Sequence, residues 1–285
     1  MPSLLDLRRR LRSIRNTQQI TNAMKMVSAA KLRRAQDAIL SARPYALKML
    51  EVLNSLATRA DPEAHPLLKV REPKRIEIVV ITADKGLCGS FNANILKEAT
   101  RFLEKERAAE LALQVVGKKA RDYFRRRDYE IRLIHVDIFR DLTYENAASI
   151  ATPLIERYVN REVDAVYMIY NEFKNVLQQN VVVERLLPLE KLHFETVEEE
   201  FDYIYEPTAA VIFRDLLPKH VEYQVWRALL ESAAAEHAAR MTAMENATRN
   251  AAELIDDLTL TMNRVRQAAI TKEILEVVGG AEALK

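Results

Sequence analysis

The chain has 285 residues, 49% of them hydrophobic, with five glycines and nine prolines; it can form a core and is neither low-complexity nor collagen-like. The net charge of +2 hides an asymmetry. Residues 1–59 carry 12 Lys/Arg against 3 Asp/Glu, residues 60–207 carry 22 against 27, and residues 208–285 carry 9 against 11. The single cysteine, Cys88, excludes an intramolecular disulfide and fits a reducing compartment.

No run approaches the ~18 apolar residues of a membrane span. Leu4–Leu7 is too short for a secretory signal and runs into Arg8, Arg9, Arg10 and Arg12. An Arg-rich, acid-poor start is compatible with an organellar transit peptide, but no cleavage point interrupts the helical pattern.

Residues 1–59 form the first expected segment, one long helix or two. Leu4, Leu7, Leu11 and Ile14 step by three and four, as do Ile39, Ala42, Ala46, Met49, Leu53 and Leu56. Between them lies a polar patch, Asn16–Gln19, after which Ile20, Met24 and Val27 resume the apolar steps. Pro44 lacks an amide hydrogen and crowds the Leu40 carbonyl, which predicts a kink or a break near Arg43. Pro62, Pro66 and Pro73 mark 60–74 as a linker.

The period changes over 75–206, the second expected segment. Arg75–Thr82 is β-branched and apolar, a buried strand. A loop with Gly86 and Gly89 leads to a helix over 90–107. Strands follow at 111–116, 130–138, 163–170 and 180–187. Helices are expected up to Arg127 and over 143–160, the latter containing Pro153. Strands alternating with helices predict an α/β fold, a Rossmann-like domain of mostly parallel strands. The acidic run Glu198–Glu200 reads as a solvated face.

The third segment, 208–285, has no proline after Pro218 and no glycine before Gly279. A helix of about 60 residues would be about 90 Å long. Leu230, Ala234, His237, Met241, Met244, Thr248, Ala251, Ile255, Leu258, Met262, Val265 and Ala269 repeat with a mean period of 3.5, the signature of a coiled-coil seam. Such a helix needs a partner helix. The economical arrangement pairs the two terminal helices, nearly antiparallel, with the α/β domain inserted between them.

The loop Asp84–Ser90 lies where doubly wound folds bind phosphates, but it matches neither GxGxxG nor the Walker pattern. A tight strand-to-helix turn explains it without a ligand. Cys88 at a helix start is a candidate nucleophile, with His65, His135 or His193 as its base, yet none sits in a recognisable motif. The five histidines lack metal-ligand spacing, so neither a metal nor a cofactor is expected. The basic first helix has Tyr45 as its sole aromatic residue, which argues against nucleic acid; a charged solvent face beside an acidic helix partner and a specific acidic protein partner both remain open.

Three stretches carry a family resemblance: Leu11–Gln36 (LRSIRNTQQITNAMKMVSAAKLRRAQ), Asp84–Asn94 (DKGLCGSFNAN) and Ile270–Leu284 (ITKEILEVVGGAEAL). They resemble the gamma subunit of F-type ATP synthases, whose C-terminal signature is matched by Thr271, Glu273, Glu276, Gly280 and Ala281. The resemblance implies a non-catalytic rotor shaft, a long antiparallel coiled coil inside a ring of three alpha and three beta subunits. Its α/β domain would join the epsilon subunit and the c-ring. Met24 and Lys25 would lie near an acidic loop of beta, Arg266 and Gln267 near another beta loop, and Tyr203 and Tyr205 towards the c-ring. Plastid members carry a regulatory thiol pair, which a chain with one cysteine cannot form. The resemblance therefore implies a bacterial subunit, peripheral to the cytoplasmic face of the plasma membrane. A small-molecule enzyme using the α/β domain and a static coiled-coil scaffold are the other classes open at this point.

Overall fold

The computed structural model describes residues 3–57, 65–176, 178–189, 206 and 208–282. Two compact units emerge, residues 29–240 and residues 1–28 with 241–285. Helix α1 is Leu4–Ala57 and helix α5 is Ala209–Glu282.

Residues 29–240 are built on a five-stranded sheet. The elements between the long helices are β1 (Arg75–Ile81), α2 (Phe91–Lys105), β2 (Glu110–Val116), α3 (Lys118–Phe124), β3 (Glu130–His135), α4 (Tyr144–Val159), β4 (Ala165–Phe173) and β5 (Gln179–Leu187). Strand order is β3-β2-β1-β4-β5, with β1 parallel to β2 and β4, and β2 parallel to β3. β5 is antiparallel to β4 because only residues 174–178 join them, too few for a crossover. The mixed α/β class and mostly parallel sheet expected from the sequence are present.

Helices cover both faces, which is why β1 is an almost continuous apolar run. On one face, Met49, Leu53 and Leu56 of α1, Ile150 and Leu154 of α4, and Leu217, Val221 and Leu229 of α5 pack with Val79, Ile81 and Met168. On the other, Ile95, Ala99 and Leu103 of α2 and Phe124 of α3 pack with Ile78, Val80, Leu113 and Ile169. Glu77 interrupts the apolar run of β1 and is fully buried. Arg157 of α4 grips it with two bonds, Nη2 to Oε1 at 2.6 Å and Nε to Oε2 at 2.8 Å, while Arg132 of β3 stands 3.5 Å away. A buried carboxylate is tolerated because it is paired and hydrogen-bonded.

Three sequence expectations need correcting. α1 does not break at Pro44. The ring faces solvent, and the helix is fastened beside it: the Tyr223 hydroxyl of α5 donates to the Ala42 carbonyl at 3.3 Å, and the Tyr45 and Tyr223 rings lie 5.8 Å apart. Packing by neighbours offsets the lost backbone bond. Pro66–Leu68 of the expected linker forms a 3-10 turn, with Leu67 fully buried and its carbonyl accepting from the Leu189 amide. The third strand stops at His135, because Asp137 adopts a left-handed φ of 61° and Ile138–Arg140 form a 3-10 turn.

In the other unit, α1 and α5 run antiparallel. Lys25 Nζ meets Glu245 Oε1 at 3.3 Å, and the Thr21 and Thr248 hydroxyls lie 2.8 Å apart. Arg15 and Gln18 share a small hollow with Ala252, Ile255 and Asp256. Buried and half-buried positions on α1 keep one register, Leu4, Leu7, Leu11, Ile14, Gln18, Thr21, Lys25 and Ser28. The expected resumption at Ile20 and Val27 is wrong: they are 60% and 57% exposed, and Met24 is half-buried. Of the polar patch only Gln18 takes a seam position; Asn16, Thr17 and Gln19 are exposed, as are Ile20 and Val27. On α5 the seam positions from Met241 to Ala269 are all buried or half-buried, whereas every side chain from Ile270 to Gly279 is exposed.

Candidate functional site

The loop after β1 sits at the point where the sheet's strand order reverses, between β1 and β4, the usual ligand crevice of a doubly wound fold. Its turn is built by Leu87 and Gly89, with left-handed φ of 62° and 56°. Asp84 Oδ1 accepts from the Lys118 amide at 3.0 Å and the Asp137 amide at 3.1 Å. Asn92 accepts from the Ala83 amide through Oδ1 and donates to the Lys85 carbonyl and to Cys88 Sγ. Gly117, at φ 91°, lies so close that an added Cβ would stand 2.1 Å from the Thr82 carbonyl oxygen.

α5 packs against the buried side of this loop. Ala235 belongs to the same core as Cys88 and Phe91, and Ala239 packs against it. Arg240 pairs with Glu236 at 2.6 Å, both side chains being nearly buried, and donates to the Gly86 carbonyl at 3.3 Å. Lys85, Leu87, Gly89 and Ser90 stay exposed, so α5 covers only the Cys88 side of the turn.

The thiol is equally unsuited to attack. Burial pushes the Cys88 pKa up, which outweighs the pull of the Arg240 charge, so the thiol stays protonated. His135 is fixed against Gln114 at 2.8 Å, and His65 accepts from the Leu67 amide and lies edge-on to Phe213. Burial lowers the pKa of both. His193 and Glu198–Glu200 fall outside the described residues. The described residues hold no cluster of metal-ligating side chains.

The expected contact residues separate into zones. Met24 and Lys25 are half-buried on α1, and Lys25 already meets Glu245 within the chain. Arg266 and Gln267 are exposed on α5, roughly 30 Å further along at 1.5 Å per residue. Tyr203 and Tyr205 lie outside the described residues. Sequence reasoning missed the outward apolar side chains: Ile20, Met26 and Val27 on α1, and Leu254, Leu260, Ile274, Leu275, Val277 and Val278 on α5. The signal was available in the heptad register, which runs unchanged from Leu4 to Leu56 and excludes Ile20 and Val27.

A second polar constellation lines one face of α5 within residues 29–240. Arg227 Nη2 meets Glu184 Oε1 of β5 at 2.5 Å, and the Tyr170 hydroxyl donates to Glu184 Oε2 at 2.8 Å. Burial drives the His220 pKa down to about 4, and burial raises Glu231 to about 7 against the opposing pull of Arg227.

A family model described as ATP synthase matches residues 3–284. The "ATP synthase gamma chain" of Pelotomaculum thermopropionicum is 53% identical over 285 residues, covering 100% of both chains. That of Anaeromyxobacter sp. strain Fw109-5 is 53% identical over 290 residues, again covering 100% of both. Among solved structures, the central stalk and c-ring of the Tetrahymena thermophila mitochondrial ATP synthase contains a chain 31% identical, with TM-score 0.62, matching 80% of this chain and 99% of its own. A chain of the Euglena gracilis mitochondrial ATP synthase has the same fold at TM-score 0.69 and 22% identity, matching 99% of this chain and 94% of its own.

Proposed function

The chain belongs to the ATP synthase family as a gamma chain of the F-type enzyme, and from that premise we propose how this subunit works: as the central rotor shaft, coupling c-ring rotation to ATP synthesis or hydrolysis. The observation that carries the reading is the unpartnered end of α5. Ile270 to Gly279 form exposed helix with Ile274, Leu275, Val277 and Val278 facing out. Monomeric proteins rarely leave such apolar surface open, so an enclosing partner suits it.

In this reading the subunit is non-catalytic, and chemistry belongs to the surrounding subunits. The buried, protonated Cys88 supports that division. The partners are three alpha and three beta subunits, epsilon and the c-ring, at the cytoplasmic face of a bacterial plasma membrane. Met24, Lys25, Arg266 and Gln267 meet the ring, and Tyr203 and Tyr205 the c-ring side. Two unequal antiparallel helices have no threefold axis, so three ring positions would see three different faces. No helix of the described residues is long and apolar enough to cross a membrane, so membrane attachment runs through partners.

The test is a reversible tether. Gln267→Cys in a Cys88→Ser background, with a cysteine on the facing ring subunit, is oxidised in the assembled complex. The rotor reading expects coupled turnover to stop and reduction to restore it. Full proton-coupled turnover with the tether closed in nearly every complex would overturn it, because a static scaffold has nothing to move.

A further inference from the structure

β5 ends the sheet, and among the described residues it pairs only with β4. Natural edge strands are blunted by lysine, proline, a bulge or a covering element. β5 contains neither residue and carries Val181, Val182 and Val183 in succession. The register shift in its pairing lies near Leu187, so the seven residues Gln179–Arg185 keep an unbroken ladder with β4.

Both sides of the strand open onto hollows. One, of about 570 Å³, lies between β5 and α5 and is walled by Val182, Leu186, Leu217, His220, Gln224 and Arg227. The other lies between α2 and β5, where Lys97 and Arg101 face Gln179–Val182.

The first hollow contains buried polar atoms with nothing to bond. His220, Gln224, Arg227 and Glu231 recur along one face of α5, and His220 Nδ1, Gln224 Oε1, Arg227 Nε and Glu231 Oε2 lack hydrogen-bond partners. These are half of the eight such side-chain atoms among the described residues. The first three of these residues line the hollow, and His220 is 5% exposed. The Gln224 amide donates to His220 Nε2 at 3.1 Å, which leaves the proton on Nδ1. The pair therefore presents one donor, Nδ1–H, beside one acceptor, Oε1. Arg227 is already neutralised by Glu184, so the hollow asks for a polar but uncharged group.

We propose that β5 is a strand-addition site, where an extended segment of another subunit of the assembly pairs with the outer edge over Gln179–Glu184 and seats a Ser, Thr, Asn or Gln side chain against His220 and Gln224. Backbone pairing supplies the adhesion, and alternate side chains fall into the two hollows because strand side chains have a period of two. Hydroxyl and amide side chains carry the donor and acceptor that the His220–Gln224 pair lacks, at no cost in buried charge. The site depends on membership of a multisubunit complex and not on rotation.

Amide hydrogen exchange at single-residue resolution tests it, on the full chain alone and in the assembled complex. On an edge strand, alternate amides point outward. In the complex, the amides of Gln179–Glu184 that β4 does not engage should slow roughly 100-fold, while those between them change little. Slowing without that alternation, or none, would overturn the proposal. Protection already present in the chain alone would mean that the chain covers its own edge, and would also overturn it. So would protection that tracks dimer formation by the isolated chain, which would assign the edge to a second copy. Gln224→Leu removes the acceptor in the hollow and should reduce the protection in the complex about tenfold; unchanged protection would overturn the seating of a polar side chain there. A complex that fails the rotor tether test can still pass this one.

Discussion

Residues 29–240 and the helix pair of residues 3–28 and 241–282 solve the same problem with different materials. The first region buries most of its large side chains in two cores on either face of a sheet. The helix pair has six buried residues among those described, Leu7, Leu11, Thr21, Ser28, Met244 and Ala251, and two of them are hydroxyl-bearing. Burial of a large aliphatic side chain contributes about 1.5–3 kcal/mol, and a net hydrogen bond about 1 kcal/mol. The sheet region is therefore anchored by cores that a single change damages severely. The pair is fastened by many weak contacts that each matter little.

The largest expected effect falls on the sheet region. Arg157→Ala leaves the Glu77 carboxylate buried with only the more distant Arg132, and should cost about 3–5 kcal/mol in urea unfolding of the chain. Replacing Glu77 and Arg157 together by leucine should cost less than the single change. If the double change costs more, the pair is a true source of stability and the contrast between the regions sharpens.

Acid should act on the same region. His220 and His237 are both held to about 4, chiefly by burial, against 6.5 unfolded. Below pH 6.5 the unfolded chain takes up protons that the folded chain refuses, so stability falls as pH drops from 6.5 towards 4, by up to about 3 kcal/mol per histidine. Glu231 runs the other way. Its pKa of about 7 lies above the 4.5 of the unfolded chain, so its contribution is fully present below 4.5 and is lost as pH rises through 7. Thermal melts of His220→Gln should show a shallower acid loss than the parent between pH 6.5 and 4. An unchanged slope would show that His220 does not remain neutral in the folded chain.

Changes in the helix pair should be smaller. Thr21→Val leaves Thr248 without its cross-helix partner and should cost about 1 kcal/mol, whereas the double change Thr21→Val with Thr248→Val should be nearly neutral or stabilising by chemical unfolding. Lys25→Ala removes an ion pair whose side chains are 37% and 58% exposed, and should cost ~0.2–1 kcal/mol, less at high salt. A loss of several kcal/mol at either place would show that the pair depends on a few strong contacts and break the contrast.

Much of this was legible before the fold was seen. β-branched runs marked the strands because both sheet faces are covered, and the 3.5 period marked the α5 seam because one face of a paired helix must be dry. The middle of α1 was misread because Gln18, Thr21, Lys25 and Ser28 hold seam positions while Ile20 and Val27 face out, so hydrophobicity pointed to the wrong face. Register, carried from Leu4–Ile14 to Ile39–Leu56, would have pointed to the right one. Whether α1 breaks at Pro44 was not legible, because local backbone chemistry cannot see Tyr223 arriving from α5. The row His220, Gln224, Arg227 and Glu231 was invisible because its meaning comes from β5, and no spacing rule reports which polar atoms end up without a bond. The same limit hid the bond from Arg240 to the Gly86 carbonyl.

The contacts of Thr21 with Thr248 and Lys25 with Glu245 span 227 and 220 positions of the chain. On a ribosome that makes about 5–20 residues per second, the first helix emerges long before the residues it must zip against exist. For that interval, of order ten seconds or more, it exposes Leu7 and Leu11 as well as the side chains that stay outward afterwards. The sheet can form in the meantime, because β1 to β5 are complete by Leu187. The helix pair is thus the last part of the molecule to close. Its charged and hydroxyl-rich seam, which adds little strength when finished, leaves the waiting helix less sticky than an all-leucine seam would.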